Sequence, residues 1–391
     1  MSGAVEGPVA GEIDLLVIQQ FDPARAATIG GIDTCIRGLL EYAPPGARLA
    51  VVGVDESDPD TPLGRWKAVR RGDREIWFLP VARVDTTRPK GLVPHSARLV
   101  AGLLRYRARI PRTAQVQAHR VDVGLFTYLL FRRPLVYCIH TQERGLLGPT
   151  SDSFWRLTGG LHERVDRAVA RRAARVIVFN PAFAEKVRRW NPRTVSAPTW
   201  FDPAVTVARL EAVNPHRVIW VGRLEIPKDP ELAIRSFAAL VADDPDAPWT
   251  LEMIGSGTLL PVLQAQIAAL PPDLARRITL RGRLGPADLA EARGRSGVFL
   301  MTSYTGYEGF PRVLVEAMAT GLPAVVTDGS DTGGLVHQGV SGFVCSRSPG
   351  ELAHSIRAAR HLDRAKVIDA VAALSAPRVV REIFFDRSTE Q

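Results

Sequence analysis

Two carboxylates eight residues apart, Glu308 and Glu316, bracket the run Gly309-Phe310-Pro311-Arg312-Val313-Leu314-Val315. A buried-strand pattern over Val298–Met301 ends shortly before them, and a helical pattern covers 312–320. That order predicts Glu308 just before a helix N-terminus and Glu316 about two turns inside. The free N–H groups of a first helical turn, backed by the helix dipole, favour an anion. Pro311 suits the first helical position, where a missing N–H costs nothing. Gly309 lets a ligand approach the backbone closely. By residue type alone, the same pair also fits a helix cap and a solvated glutamate.

Two cations follow a second strand pattern, Val218–Val221: Arg223 after Gly222, and Lys228 after Pro227. Arg offers a planar fork and Lys a point charge, and both suit a phosphate. An exposed loop with surface ion pairs is the other reading. Lys228 is one of only five lysines against 45 arginines, so its type is not a compositional accident. His140 follows the strand pattern Leu135–Ile139, where a neutral imidazole would bond a hydroxyl or serve only the structure. Gly30-Gly31 reads as a loop after the first strand or as a helix start. Asn180 before Pro181 reads as an N-cap. Asp58-Pro59-Asp60 and Asp244-Pro245-Asp246 spell a metal motif, but both fall in polar loops, and no metal site is expected.

The elements that must position these residues alternate. Strand patterns at 13–18, 49–54, 76–79, 115–119, 135–139 and 175–179 are separated by helical patterns. A second series starts after residues 191–216, where four prolines mark a linker, with strands at 218–221, 251–254, 278–280, 298–301, 324–327 and 343–345. Such alternation predicts parallel sheets covered on both faces, here two doubly wound α/β domains facing a cleft. Ligands of open α/β sheets bind beyond the carboxyl ends of the strands. The expected division is 1–205 and 206–375, with a last helix over 376–391 that packs on one of the two, the N-terminal domain being one candidate.

Composition sets the outer limits. With 46% hydrophobic and 23% charged residues, the 391-residue chain is too apolar to be disordered. No apolar run reaches the ~20 residues that span a bilayer. Three scattered cysteines fit neither a disulfide framework nor a zinc site, which predicts a reducing, cytoplasmic setting. Residues 1–12 lack the basic and apolar regions of a signal peptide and read as a flexible lead-in. The net charge of +9 is lopsided: +10 in residues 1–205 and −1 in 206–391. A helix over 96–111, with Ser96 as its cap, would gather Arg98, Arg105, Arg109 and Arg112 within about a 60° arc. Such a face suits an anionic membrane at the inner leaflet, or simply water. Nucleic acid is not expected, because no reader module and no interleaved aromatics accompany the arginines. A dinucleotide oxidoreductase is disfavoured by the absence of G-x-G-x-x-G after the first strand.

The stretch Glu308 to Val326 resembles the E-x7-E signature of family 4 retaining glycosyltransferases, which have the GT-B fold. Val221-Gly222-Arg223-Leu224 with Pro227-Lys228 resembles that family's phosphate motif, and Ile254-Gly255-Ser256-Gly257 its G-x-G turn. Leu280-Arg281-Gly282-Arg283-Leu284 resembles the loop at the nucleobase, Gly30-Gly31 the first glycine-rich loop, and His140 the histidine facing the donor sugar. The resemblance implies a hexosyltransferase that uses a UDP- or GDP-linked sugar, a hydroxyl acceptor and no metal or other cofactor. It implies that Arg223 and Lys228 hold the diphosphate, that Glu316 accepts bonds from ribose, and that Arg283 meets the base through its backbone. Glu308 would stand near the transferred sugar with the Gly309 and Phe310 N–H groups. Retention allows a covalent intermediate or same-face attack, and the family favours the latter. A nucleotide-sugar epimerase or a phosphorylase on the same architecture is the alternative. Two positions depart from the pattern: Gly334 stands where a glutamate is usual, and Asp229 where a glycine is usual, with helix capping as its other use.

Overall fold

The computed structural model describes residues 7–8, 12–25, 31–56, 58, 60–84, 95–111, 115–140, 159–206 and 213–386, with the side chains of 159 and 160 left aside. They form two compact units. The first takes the described residues up to His140, those from 159 to Ala197, and the end of the chain from Val380; the second runs Pro198–Val379. No described helix is long and apolar enough to cross a membrane.

The first unit contains β1 (Leu15–Ile18), β2 (Leu49–Asp55), β3 (Lys67–Arg71), β4 (Arg74–Arg83), β5 (Val116–Ala118), β6 (Leu135–Ile139), β7 (Arg175–Val178) and β8 (Thr194–Ser196). Their order in one sheet is β3-β4-β2-β1-β5-β6-β7-β8. The central strands are mostly apolar because helices cover both faces: every residue of β1, β2 and β6 is buried. The sheet is not wholly parallel, as the alternation predicted. β3 runs antiparallel to β4 through the turn after Arg71. Its sequence KAVRR buries only Val69, so a charged edge strand carried no apolar run to announce it. β8 is a second correction, since this edge strand lies inside the stretch read as linker.

The second unit contains β9 (Arg217–Val221), β10 (Thr250–Ile254), β11 (Ile278–Leu280), β12 (Val298–Met301), β13 (Ala324–Thr327) and β14 (Gly342–Cys345), all parallel, in the order β11-β10-β9-β12-β13-β14. Alternate residues of the same strands feed separate cores. Trp220 and Leu300 join Phe237 and Trp249 on one face, while Ile219 and Phe299 join Leu314 and Met318 on the other. Each such fully buried side chain contributes roughly 1.5–3 kcal/mol.

In both sheets the strand order reverses once near the middle, between β1 and β5 and between β9 and β12. Connections leave such a point in opposite directions and open a crevice beyond the strand ends. Gly31 and His119 follow β1 and β5; Arg223, Lys228 and Glu308 follow β9 and β12.

Candidate active site

The segment after β9 is fixed by its neighbour. Gly222 N donates to Ile254 O and Leu224 N to Ser256 O, each at 3.0 Å. Gly255 adopts φ +148°, and a Cβ there would strike Gly222 O, as one at Gly257 would strike Leu224 O. The G-x-G turn therefore exists first to let two loop backbones touch. Glu225 accepts from Thr258 N (2.9 Å) and Oγ1 (2.6 Å) and completes the bracing. A short 3-10 turn, Ile226–Lys228, then delivers the lysine. Its Nζ lies 2.6 Å from Glu308 Oε1, and the two side chains are only 13% and 9% exposed. Ser303 Oγ donates to the same carboxylate oxygen at 2.5 Å. Arg223, otherwise exposed, donates to the Tyr307 hydroxyl, and Lys228 Nζ lies 5.6 Å from the Tyr307 ring centroid. Two cations and Glu308 thus converge around one tyrosine.

The helix Arg312–Ala319 starts where the pattern places it, but Pro311 occupies the N-cap position rather than the first turn. Gly309 O accepts from the Thr332 hydroxyl, and the Phe310 ring lies against Gly333. Glu316 is neither solvated nor alone. Arg312 Nε bonds one oxygen at 2.7 Å and Arg293 Nη1 the other at 2.5 Å. Burial alone would raise its pKa, but the charges of Arg312 and then Arg293, with their hydrogen bonds, bring it down to about 2. Each oxygen keeps acceptor capacity beyond its one guanidinium bond.

The frame behind this cluster escaped the sequence reading. Arg347, just past β14, donates to the carbonyls of Thr302 (2.9 Å) and Ser303 (3.0 Å) and pairs with Asp229. Its guanidinium lies over the Tyr304 ring, 3.8 Å from the centroid. The Thr302 hydroxyl accepts from Trp220 Nε1 and faces the carbonyls of Lys228 and Asp229. Asp229 holds a left-handed φ of 40° and caps Leu232 N at 3.0 Å, so capping is its use here. At Gly334 the φ of +63° would strain a glutamate. Arg283 is exposed beside Gly282, whose carbonyl accepts from Gly255 N at 2.8 Å, which ties its loop to the G-x-G turn.

In the first unit Gly31 is the first residue of the helix Gly31–Glu41; Gly30 lies outside the described residues. Asn180 caps its helix through Phe183 N at 2.7 Å. His140 is half-buried, stacks on Phe179 with centroids 4.4 Å apart, and places Nε2 2.8 Å from His119 Nδ1. Burial pushes the His140 pKa down to about 3; burial and then His140 push that of His119 well below its usual value. Both rings are neutral at pH 7. Cys35 Sγ and one nitrogen of each histidine lie within 4.8 Å of one another, the only such group among the described residues that could hold a metal.

The basic helix is shorter than expected. It runs His95–Tyr106, so Ser96 lies inside it, and a 3-10 turn follows over Arg107–Arg109. Arg98 and Arg105 are exposed on the helix. Arg109 instead donates to Gly64 O, while its own carbonyl accepts from Trp66 Nε1 at 2.9 Å. Arg112 lies outside the described residues. Among the described residues, only Arg98 and Arg105 of the expected arc lie on this helix.

Residues 215–360 match the family of glycosyl transferases group 1. The D-inositol 3-phosphate glycosyltransferase of Rhodococcus jostii (strain RHA1) is 27% identical over 197 residues, 48% of this chain and 41% of that protein. The chain spans less than half the length of the curated relatives it matches. Sucrose-phosphate synthase from Thermosynechococcus elongatus superposes with a TM-score of 0.73 at 19% identity, covering 95% of this chain and 97% of the other. Anabaena HepE, solved with UDP and glucose, gives 0.67 at 19% identity over 95% and 98%. At these identities the structural likeness speaks for the fold. The chain has the GT-B architecture of two Rossmann-like α/β domains, and its residues 215–360 carry the mark of the group 1 glycosyl transferases.

Proposed function

We propose that the chain is a family 4 retaining glycosyltransferase that moves a hexose from a UDP- or GDP-linked sugar to a hydroxyl acceptor without a metal ion. The observation that carries this reading is the buried Lys228–Glu308 pair at the β9/β12 switch point, with Arg223 beside it on Tyr307. An incoming diphosphate competes for both cations. As Lys228 turns to phosphate, the Glu308 carboxylate is freed to accept hydroxyl bonds from the sugar, helped by the Gly309 and Phe310 backbone. Charge on the leaving diphosphate grows as the sugar–phosphate bond breaks, so fixed cations stabilise the transition state more than the ground state. That is the work a metal would otherwise do. The acceptor oxygen attacks the face the diphosphate leaves and passes its proton to a diphosphate oxygen, which retains configuration.

The remaining roles follow the chemistry. Glu316, held ionised, accepts from the ribose hydroxyls. The Arg283 backbone meets the base, and Gly30-Gly31 with His140 serve the sugar side. The curated relative named for D-inositol 3-phosphate and the UDP bound to HepE support a nucleotide-sugar donor and a polyol-like acceptor. An anionic membrane is the proposed setting, with the product entering polysaccharide, glycolipid or glycosylated-metabolite synthesis. Exposed Leu104, Phe126 and Leu129 lie on two packed helices that also carry Arg98 and Arg105.

A thermal-shift screen of UDP, GDP and their sugars, followed by nucleotide release with and without an acceptor pool, tests the proposal. Stabilisation by one nucleotide and release that depends on acceptor are expected. Stabilisation by the nucleotide with no release, whether or not acceptor is present, would overturn transfer in favour of an epimerase or a phosphorylase, and release indifferent to acceptor would mean hydrolysis.

A further inference from the structure

His119 was read only as the end of a strand, yet it is the residue that decides what His140 can do. The residue is 3% exposed and follows β5, next to β6, which ends just before His140. The two rings are tilted by only 24° with centroids 5.0 Å apart, so the 2.8 Å contact runs nearly within both ring planes. One nitrogen must donate and the other accept. His119 Nε2 is buried and has no hydrogen-bond partner among the described residues.

That orphan breaks the symmetry. If His140 Nε2–H donated to His119 Nδ1, the proton of His119 would sit on Nε2, a buried N–H bonded to nothing. If His119 Nδ1–H donates instead, Nε2 is a bare lone pair, and unmet acceptors are tolerated more often than unmet donors. His140 then accepts at Nε2 and must carry its own proton on Nδ1.

We propose that His119 is a positioning residue that locks His140 in the Nδ1–H tautomer, so that His140 meets the donor substrate as a neutral hydrogen-bond donor and not as a base. This rests on the reading of His140 as a residue that faces the donor sugar. An Nδ1–H donor seeks a lone pair, which a sugar hydroxyl or a phosphate oxygen supplies. Phe179, stacked on His140, fixes the plane in which that N–H points. The same three groups do not need a metal to explain their closeness. Two nitrogens on one tetrahedral zinc, each about 2.0–2.1 Å from it, stand roughly 3.3 Å apart, whereas 2.8 Å is a hydrogen-bond distance.

Long-range ¹H–¹⁵N NMR of histidine-labelled wild-type protein reads the tautomer directly, with His140 assigned by the signal missing in His140→Gln. A protonated Nδ1 and a bare Nε2 are expected at His140. A protonated Nε2 would overturn the proposal. In kinetics, His119→Leu should raise KM for the nucleotide sugar on the order of tenfold, the loss of one oriented hydrogen bond. His119→Asn, whose amide can donate from nearly the Nδ1 position, should recover most of it. Equal loss in both variants would reduce His119 to a packing role. A Co²⁺ titration that gives a thiolate charge-transfer band, absent in Cys35→Ser, would make the pair metal ligands and also overturn the proposal. Wild-type kinetics in His140→Gln would remove the donor-facing role itself, while the NMR result would still decide the tautomer.

Discussion

The two units place their chemistry at equivalent points of similar sheets, yet they build opposite kinds of pair. At the β9/β12 reversal the second unit joins a lysine to a glutamate and keeps Glu316 charged between two arginines. At the β1/β5 reversal the first unit joins two histidines and keeps both neutral by burial. A charged pair suits a ligand that brings its own charge and can exchange one counterion for another. A neutral pair suits hydroxyl groups, where only the direction of each hydrogen bond matters. The fold supplies the location, and local desolvation and partner type decide the chemistry.

The largest effect expected from breaking this contrast is at Lys228. Lys228→Ala should lower kcat for transfer by about 10²–10³, the usual range for removing one fixed group that stabilises developing charge. Steady-state rates with saturating donor check it. Wild-type turnover in this variant would end the phosphate assignment. Glu308→Gln should keep nucleotide binding and lose turnover, because only the sugar-side contacts are touched.

Next in size is the frame around the charged pair. Arg347→Met removes two bonds to loop carbonyls, the partner of Asp229 and the cation over Tyr304. Hydrogen bonds that involve a charged group are each worth about 1.5–3 kcal/mol. A loss of about 2–3 kcal/mol in urea unfolding is expected, and combination with Asp229→Asn should be clearly non-additive. Strict additivity would show that Arg347 and Asp229 do not act as a unit.

The contrast between charged and neutral pairs also fixes what the sequence could reveal. Glu308, Arg223 and Lys228 are legible because each follows an apolar strand, and Glu316 because it lies inside the helix that comes next; such local order survives in sequence. Arg347 is not: its partners Asp229 and Thr302 lie 118 and 45 residues away, and nothing local in SRSPG signals them. Arg293 sits on the helix Pro286–Gly294, yet only 2% of it is exposed, because its partner Glu316 comes from another element. His119 had a readable signal, a second histidine at the end of a strand pattern like that of His140, but adjacency of the two strands is a property of topology. The helix over 96–111 was drawn too long for a similar reason. Arginine spacing continues past Tyr106, while the backbone turns so that Arg109 O can meet Trp66 Nε1. The strands themselves, buried on both faces, were the easiest part to read.

Acid should separate the two units. A buried histidine with a lowered pKa takes up its proton mainly when unfolded. The stability conferred by keeping it neutral is therefore complete above about pH 6.5 and is lost as pH falls toward about 3 for His140. For His140 each pH unit in that window costs about 1.4 kcal/mol. Glu316 runs over a lower range: its contribution is complete above 4.5 and is lost only as pH falls toward about 2. Between pH 6.5 and 4.5 the buried histidines should lower the melting point, partly offset by Asp33, whose carboxyl burial raises to about 6, and His119→Asn should flatten the drop. An unchanged slope in the variant would show that the pair is not what makes the protein acid-sensitive.

The smallest effect concerns the surface, and there the structure divides arginines that look alike in sequence. Arg98 and Arg105 are exposed on the helix His95–Tyr106, near Leu104. An arginine close to an anionic bilayer contributes about 1 kcal/mol, so Arg98→Gln and Arg105→Gln should each weaken pelleting with phosphatidylserine vesicles by roughly fivefold at low salt. Arg109 is engaged with Gly64 O, and Arg109→Gln should lower the melting point more than it changes pelleting. If Arg109→Gln matched the other two on vesicles, the distinction between a structural and a membrane-facing arginine would fail. If none of the three changed pelleting, the positive charge of the first unit would have to be assigned to solvent or to the acceptor.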